Sequence, residues 1–375
     1  MVVKKLRRSR TPFAVKFIPS GSVVLDCVLG GGWARGRVIN IVGDRSTCKT
    51  ALACEMIASV LVSKSTFERY PEDARLPKKV VYDVAEGSVD FDLDAMYGMK
   101  HSEIDWRSSD TVEEFDKAVA DELSVLPGAP DGYLLVYILD SLDPLSCDAE
   151  IKFEAKKHGA MEEKEKEAKT SKTGKPKKEK KEKGTYGMDK AKLMNRFFRR
   201  NDLRLKQKLA TLVIISQTRT KIGSMFTAKK RSCADALDFY ESQELWLRET
   251  EKIEKKVGKR IMITGVRIHC GVKKNKVGKP YRDCYITFLF DYGLDNIGTN
   301  IDFLYDLIIK GKLDKEKANR KCLEWDGKEY TRQGLVDLMD SSEEQRRRLD
   351  QAVRERWASF EEAVHHGRKP KYARG

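Results

Sequence analysis

Arg37–Val42 (RVINIV), Gly43–Thr50 (GDRSTCKT) and the run from Thr50 to Val62 (TALACEMIASVLV) decide how this chain folds. The first is a short β-branched apolar run that stops at a glycine, the pattern of a buried strand. The last places apolar residues at helical spacing among good helix formers. Between them, G-x-x-x-x-C-K-T matches the phosphate-binding loop G-x-x-x-x-G-K-[ST] except at Cys48. The strand–loop–helix context gives the motif its weight. Backbone N–H groups of such a loop surround phosphate oxygens, and the helix adds its positive N-terminal end. The nucleotide-binding set is therefore Gly43, Asp44, Arg45, Ser46, Thr47, Cys48, Lys49 and Thr50. Lys49 is placed to bridge the β- and γ-phosphates of ATP, and the Thr50 hydroxyl to ligate Mg2+. Cys48 stands where the pattern has its second glycine; a Cβ there limits the loop's dihedral choice and is expected to slow turnover.

Working outward, Lys79–Asp83 (KVVYD), Tyr133–Asp140 (YLLVYILD) and Thr211–Ser216 (TLVIIS) are nearly continuous apolar runs. Such runs suit strands covered on both faces of a parallel sheet. Helical patterns at Val112–Leu126 and Lys190–Leu209 make these repeated βα units, an α/β class with a mostly parallel central sheet. Arg260–Phe290, broken by Gly271 and Gly278, is expected as a more antiparallel edge of that sheet. Asp140, at the end of LLVYIL, is the carboxylate that holds magnesium beside a phosphate loop, with Ser141 sharing the role. Glu86, just beyond KVVYDVA, is the candidate to orient or deprotonate an attacking water. Taken alone, an apolar strand ending in an acid is common, and Glu86 alone reads as a surface carboxylate.

The chain has 375 residues and a formal net charge of +15, a balance that points to a polyanionic partner. From about Ile151 to Gly184 it carries KEKEAKTSKTGKPKKEKKEKG, too poor in large apolar side chains to repay ordering. That segment reads as an insertion between two core elements. No apolar run reaches the length of a membrane helix, and the basic N-terminus MVVKKLRRSRTPF lacks the apolar stretch of a signal peptide. The eight cysteines are scattered without a CxxC pair, as free thiols in a reducing cytoplasm would be. His101 and His269 belong to no metal constellation and read as structural. Toward the C-terminus, SSEEQRRRLDQAVRERW predicts a helix with Ser341 as N-cap and Glu344 completing a capping box.

These pieces fall in an order that resembles the RecA recombinase family. Ile18–Asp26 (IPSGSVVLD) with GGGWARGRVINIVG is similar to the entry of that family's core, and VAEGSVD to the segment with its catalytic glutamate. The resemblance assigns that role to Glu86 and an adenine contact to Asp90; the family's adenine-stacking tyrosine falls near Leu93. The most specific likeness is Ile214–Tyr240 (IISQTRTKIGSMFTAKKRSCADALDFY). It implies that Gln217 senses the γ-phosphate and that Phe239 relays nucleotide state across a subunit interface. Arg219, Lys221, Ile222, Gly223 and Met225 fall in the family's second DNA-binding loop, where cations track phosphates and apolar side chains wedge between bases. KKRSCAD replaces that loop's Thr- and Gly-rich portion and adds charge.

YGMDKAKLMNRFFRR resembles the helix after the first DNA-binding loop, and Lys192, Asn195 and Arg199 fall on backbone-contacting positions along one face. The Lys-rich insertion then lies within that first loop, either as a flexible electrostatic arm for DNA or as a neutral expansion. GVKKNKVGKPYRDCYITFLFDYGLDN resembles the segment whose two lysines, here Lys274 and Lys276, reach into the neighbouring subunit's ATP site. Seen alone, KKNK is a solvated basic turn.

The resemblance implies a RecA-like ATPase core over residues 18–298 and a small C-terminal α/β domain over 299–365 that docks duplex DNA. A basic arm (1–17) and a basic tail (366–375) flank them. The arm is shorter than the helix and strand with which the family docks on the next subunit, which implies a reduced contact. Short arm and altered loop together suggest a divergent member, with a phage-encoded one fitting the pattern. The implied activity is a DNA-dependent ATPase that forms filaments on single-stranded DNA and exchanges strands with homologous duplex DNA, in a bacterial or phage-infected cytoplasm. A ring-forming motor of the same fold would share the phosphate loop but lack the KIGSMF loop and ALDFY segment. A DNA-binding scaffold without hydrolysis is the reading that Cys48 allows.

Overall fold

The computed structural model describes residues 15–63, 68–85, 87, 89, 92–126, 134–153, 186–220, 229–231 and 233–368. A ten-stranded sheet organises them, in the order β12-β11-β10-β9-β3-β7-β6-β4-β5, with β8 paired to β7. Here β3 is Val38–Gly43, β4 Lys78–Val84, β5 Asp105–Arg107, β6 Leu134–Asp140 and β7 Thr211–Thr220. The remaining strands are β8 (Lys229–Arg231), β9 (Gln243–Val257), β10 (Arg260–Asn275), β11 (Arg282–Leu289) and β12 (Gly293–Leu294). All pairings from β9 through β3, β7, β6 and β4 to β5 are parallel. Those from β9 to β12 are antiparallel, so the expected antiparallel edge is present.

Continuous apolar strands split their side chains between two cores because successive residues face opposite sides. Leu134, Val136 and Ile138 join one cluster with the first two helices, α1 (Val23–Leu29) and α2 (Lys49–Leu61). Leu135, Tyr137 and Leu139 face the other cluster. There Phe115, Phe197, Phe198 and Leu237 arrive from α4 (Val112–Val125), α5 (Tyr186–Lys208) and α6 (Ala234–Tyr240); α3 is the short Leu93–Tyr97 helix. Each fully buried side chain of this size contributes roughly 1.5–3 kcal/mol, so the double-sided sheet is what holds the phosphate-loop strand rigid. Phe17, counted above with the basic arm, instead pairs as part of β1 (Phe17–Ile18) with β2 (Trp33–Ala34).

A third cluster, of Ile297, Ile301, Leu307, Leu323, Leu335, Met339 and Leu349, forms beyond the sheet. Its helices are α7 (Asn296–Leu304), α8 (Lys315–Asn319), α9 (Arg332–Asp340) and α10 (Glu343–Ala363), with two short hairpins between them. The expected 298/299 boundary falls inside α7. The cap of the last helix also lies one residue later than predicted. Ser342 is the N-cap, its side chain accepting from Gln345 N–H, whereas Ser341 ends α9 and donates its hydroxyl to the Leu338 carbonyl (2.7 Å). With two serines side by side, the preceding helix claims the first, and Glu344 does not complete a capping box. All eight cysteines are free, His269 pairs with Asp283 across β10 and β11, and His101 stacks on Trp106.

Candidate functional site

Parallel strand order sets the site. β3 lies beside β7 with Gly43 opposite Gln217, and β6 lies on the far side of β7, so Asp140 ends near the same rim. The loop from Asp44 to Cys48 turns sharply off β3. Gly43 cannot carry a side chain, since a Cβ there would collide with Thr47 Oγ1 and crowd the Leu247 carbonyl oxygen. Cys48 is the N-cap of α2 with φ +59° and ψ +27°, a left-handed conformation that glycine adopts freely and cysteine does not. Its side chain is half-buried against the main core, and burial pushes the thiol up to about 12. The thiol is therefore held neutral and is a packing group.

Lys49 is buried and its Nζ donates to the Asp44 carbonyl (2.5 Å), which curls it over its own loop. Thr50 donates its hydroxyl to Asp140 Oδ2 (2.7 Å), and the Tyr82 hydroxyl donates to the same oxygen (2.8 Å). Ser141, next to Asp140 across a cis peptide, is fully buried, and its hydroxyl has no hydrogen-bond partner among the described residues. The oxygens of Thr50 and Asp140 are the hard donors that Mg2+ prefers, whereas Ser141 is not among the residues lining the cleft beside them. A cleft of about 440 Å3 is lined by Arg45, Ser46, Lys49, Thr50, Asp140 and Gln217. A second, of about 750 Å3, shares Arg45 and Gln217 with it and extends past Asp44, Asp143 and Thr218. Phosphate loop, metal-type oxygens and Gln217 are thus one place.

Residues that sequence reasoning passed over tie this rim together. Asp143 Oδ2 accepts the Gln217 N–H (2.7 Å), and Thr218 donates its hydroxyl to Asp44. Lys190, at the start of α5, donates to the carbonyls of Leu142 (2.7 Å) and Asp143 (3.0 Å). The only available signal was an acid three residues past Asp140 in a tight loop. On α2, Glu55 accepts the Leu294 N–H (2.7 Å), and burial pushes its carboxyl up to about 7.

Glu86, Asp90, Lys221, Ile222, Gly223 and Met225 lie outside the described residues, as do residues 154–185 of the insertion. Ala85 N–H, immediately before Glu86, donates to the Asp140 carbonyl (2.8 Å). Arg219 lies in β7, opposite Lys230 of β8, where the two strands pair antiparallel. On α5, Lys192 and Arg199 are exposed and Asn195 half-buried, while Met194, Phe197 and Phe198 face the core. The backbone-contact candidates therefore share the outward face.

Lys274 and Lys276 are not brought to this cleft; neither lines it. At the end of β10 they cap the last turn of α6, Lys274 Nζ donating to the Asp238 carbonyl and Lys276 Nζ to that of Phe239 (2.8 Å). Cations suit the negative end of a helix. Burial, and then the charge of Lys274, depress the Lys276 ammonium below its ordinary range. Phe239 beside them is 71% exposed, unusual for a large aromatic on a helix that buries Ala236 and Leu237.

A mostly parallel sheet with this loop at a strand's C-terminal end and an acid two strands away defines a P-loop α/β protein. Sequence comparison then narrows the class. A family model described as the RecA N-terminal domain matches residues 2–68 and 175–295. The chain is 30% identical over 291 residues to Protein RecA of Chloroflexus aggregans, covering 77% of this chain and 69% of that protein. It is 28% identical over 355 residues to Protein RecA of Amycolatopsis mediterranei, covering 94% and 87%. With Protein RecA of Gloeobacter violaceus it shares 25% over 351 residues, covering 93% and 80%. The chain belongs to the RecA family.

Proposed function

We propose that this chain is a DNA-dependent ATPase that assembles as a helical filament on single-stranded DNA and catalyses pairing and strand exchange with homologous duplex DNA. The observation that carries this reading is a division of labour. Lys49, Thr50, Asp140 and Gln217 line one cleft, whereas Lys274, Lys276 and the exposed Phe239 occupy a surface outside it. A site completed by a neighbouring copy needs such a split.

Lys49 and the backbone of Gly43–Thr50 hold the phosphates of ATP, and Thr50 and Asp140 would hold Mg2+. Bound ATP·Mg2+ supplies the scissile phosphoanhydride and neutralises its charge. Glu86 orients and deprotonates the attacking water, Asp90 contacts the adenine, and Lys274 and Lys276 of the next copy stabilise charge on the transferred phosphoryl group. Gln217 reads the γ-phosphate on β7, the strand that leads to Arg219, Lys221, Ile222, Gly223 and Met225. The ATP state therefore grips DNA and hydrolysis releases it. Lys192, Asn195 and Arg199 follow the strand's phosphates. The ATPase core runs through β12, and the cluster that begins with α7, around Ile301 and Leu335, forms a small C-terminal domain that docks duplex. Among the described residues no helix is long and apolar enough to cross a membrane.

Electron microscopy with single-stranded DNA and a non-hydrolysable ATP analogue, alongside a strand-exchange assay, tests this. Long helical filaments and nucleotide-dependent exchange are expected. Closed rings would point to a motor of the same fold, and equal DNA binding with and without nucleotide would end the proposal.

A further inference from the structure

Arg231 sits at the last residue of β8, where the chain returns from the DNA-facing segment, and the +15 charge of the protein makes a surface role the obvious expectation. The structure differs. Its side chain is only 3% exposed, and the guanidinium is enclosed by three carboxylates. It donates to Glu241 through two nitrogens (2.9 and 3.0 Å), lies 3.2 Å from Glu244, and donates to Asp238. The oxygens of Asp238, Glu241 and Glu244 lie within 4.8 Å of one another, a spacing that suits a metal ion, but the guanidinium fills that space. A planar fork with five N–H donors can satisfy several carboxylates in fixed directions, which a lysine cannot.

Two routes from the nucleotide cleft end on this residue, one at its backbone and one at its side chain. Along the first, Thr218 donates to Asp44 of the phosphate loop and is the ladder partner of Arg231. Along the second, Ser216, next to Gln217, donates to Asn40 (2.9 Å), and Asn40 donates to Glu241 (3.2 Å). On the far side, Asp238 accepts Arg231 through its carboxylate and Lys274 through its carbonyl, one residue before the exposed Phe239. Cleft, DNA segment and outer helix thus converge on one buried cation.

We infer that Arg231 is a positioning residue that locks the exit of the DNA-facing segment to α6, so that nucleotide state at Gln217 moves the DNA grip and the Phe239 face as a unit. This rests on the proposed function and adds the element that carries the coupling. Buried networks of this kind have discrete arrangements and do not deform smoothly.

The test measures affinity for labelled single-stranded DNA with and without a non-hydrolysable ATP analogue. It uses the wild type, Arg231→Lys, and the double variant Arg231→Met/Glu241→Gln, which leaves fewer buried charges unmatched. The double variant is expected to bind a fluorescent ATP analogue within about two-fold of wild type, while the nucleotide-induced tightening on DNA falls about ten-fold or more. A double variant that keeps the full tightening overturns the proposal. Should its thermal melt show that it does not fold, Arg231→Lys decides: a loss of about three-fold or more supports the fork, and unchanged tightening removes it. A wild type with no tightening at all refutes the proposed function, a different failure from that of the variants.

Discussion

Two lysine sites divide this molecule. Lys49 is buried, rests on its own loop carbonyl 2.5 Å away, and lines the cleft with Thr50, Asp140 and Gln217. Lys274 and Lys276 sit at the surface, parked on the last carbonyls of α6 next to a bare phenylalanine. The first is pre-organised by the core on which its helix packs. The second is held by hydrogen bonds to helix-end carbonyls, contacts that another set of acceptors can replace. Under the function proposed above, the difference means that one chain supplies its own phosphate grip, while the lysines proposed for the neighbouring site rest on contacts that a partner's acceptors would replace.

Removing each site in turn should therefore have different consequences. Lys49→Ala is expected to lower ATP turnover by on the order of 1000-fold, with ATP-dependent tight DNA binding lost as well. Phosphate-release and DNA-affinity measurements check both, and unchanged turnover would remove Lys49 from the chemistry. Changing Lys274 and Lys276 together to Ala should act only in the assembled state. DNA-stimulated turnover should fall by about 10–100-fold, while nucleotide binding by the isolated chain stays within about two-fold. A defect already present without DNA or neighbours would erase the distinction between the two sites.

What could be read from the sequence follows the same division. RVINIV, YLLVYILD and TLVIIS announce buried parallel strands because their apolar runs have no polar face, and each is found at the centre of the sheet. That Lys49, Thr50 and Asp140 share one cleft was legible because a local motif and a strand end mark them. The Arg231 socket was not. KKRSCAD reads as added surface charge, yet one of its cations is sequestered by acids ten and thirteen positions later, Glu241 and Glu244. Nothing local marks which of several adjacent cations turns inward; only the ladder of Arg231 opposite Thr218 does. Asp143 and Lys190 escaped notice for a related reason, since both act through backbone groups that sequence does not display. The shift from Ser341 to Ser342 shows the limit of cap rules where two helices compete for neighbouring residues.

The smallest expected effect sharpens the account of the Lys49 side. Cys48 holds φ +59° at the mouth of α2, a conformation that costs a non-glycine residue about 1–2 kcal/mol. Cys48→Gly relieves that strain, but it frees the unfolded chain by about 0.4–1 kcal/mol and removes a half-buried side chain from the core edge. The two largely offset, so thermal melting should move by no more than about 1 kcal/mol in stability. Turnover responds to the loop alone. Without a Cβ the loop can adjust its dihedrals around phosphate, and the DNA-stimulated rate is expected to rise by a few-fold, roughly 0.5–1 kcal/mol of barrier. Cys48→Ala separates strain from sulfur chemistry: it keeps the Cβ and the left-handed backbone but has no thiol. If alanine accelerates turnover as much as glycine, the sulfur and not the backbone restrains this loop. If only glycine does, the pre-organised half of the site carries a built-in brake that Lys274 and Lys276 do not share.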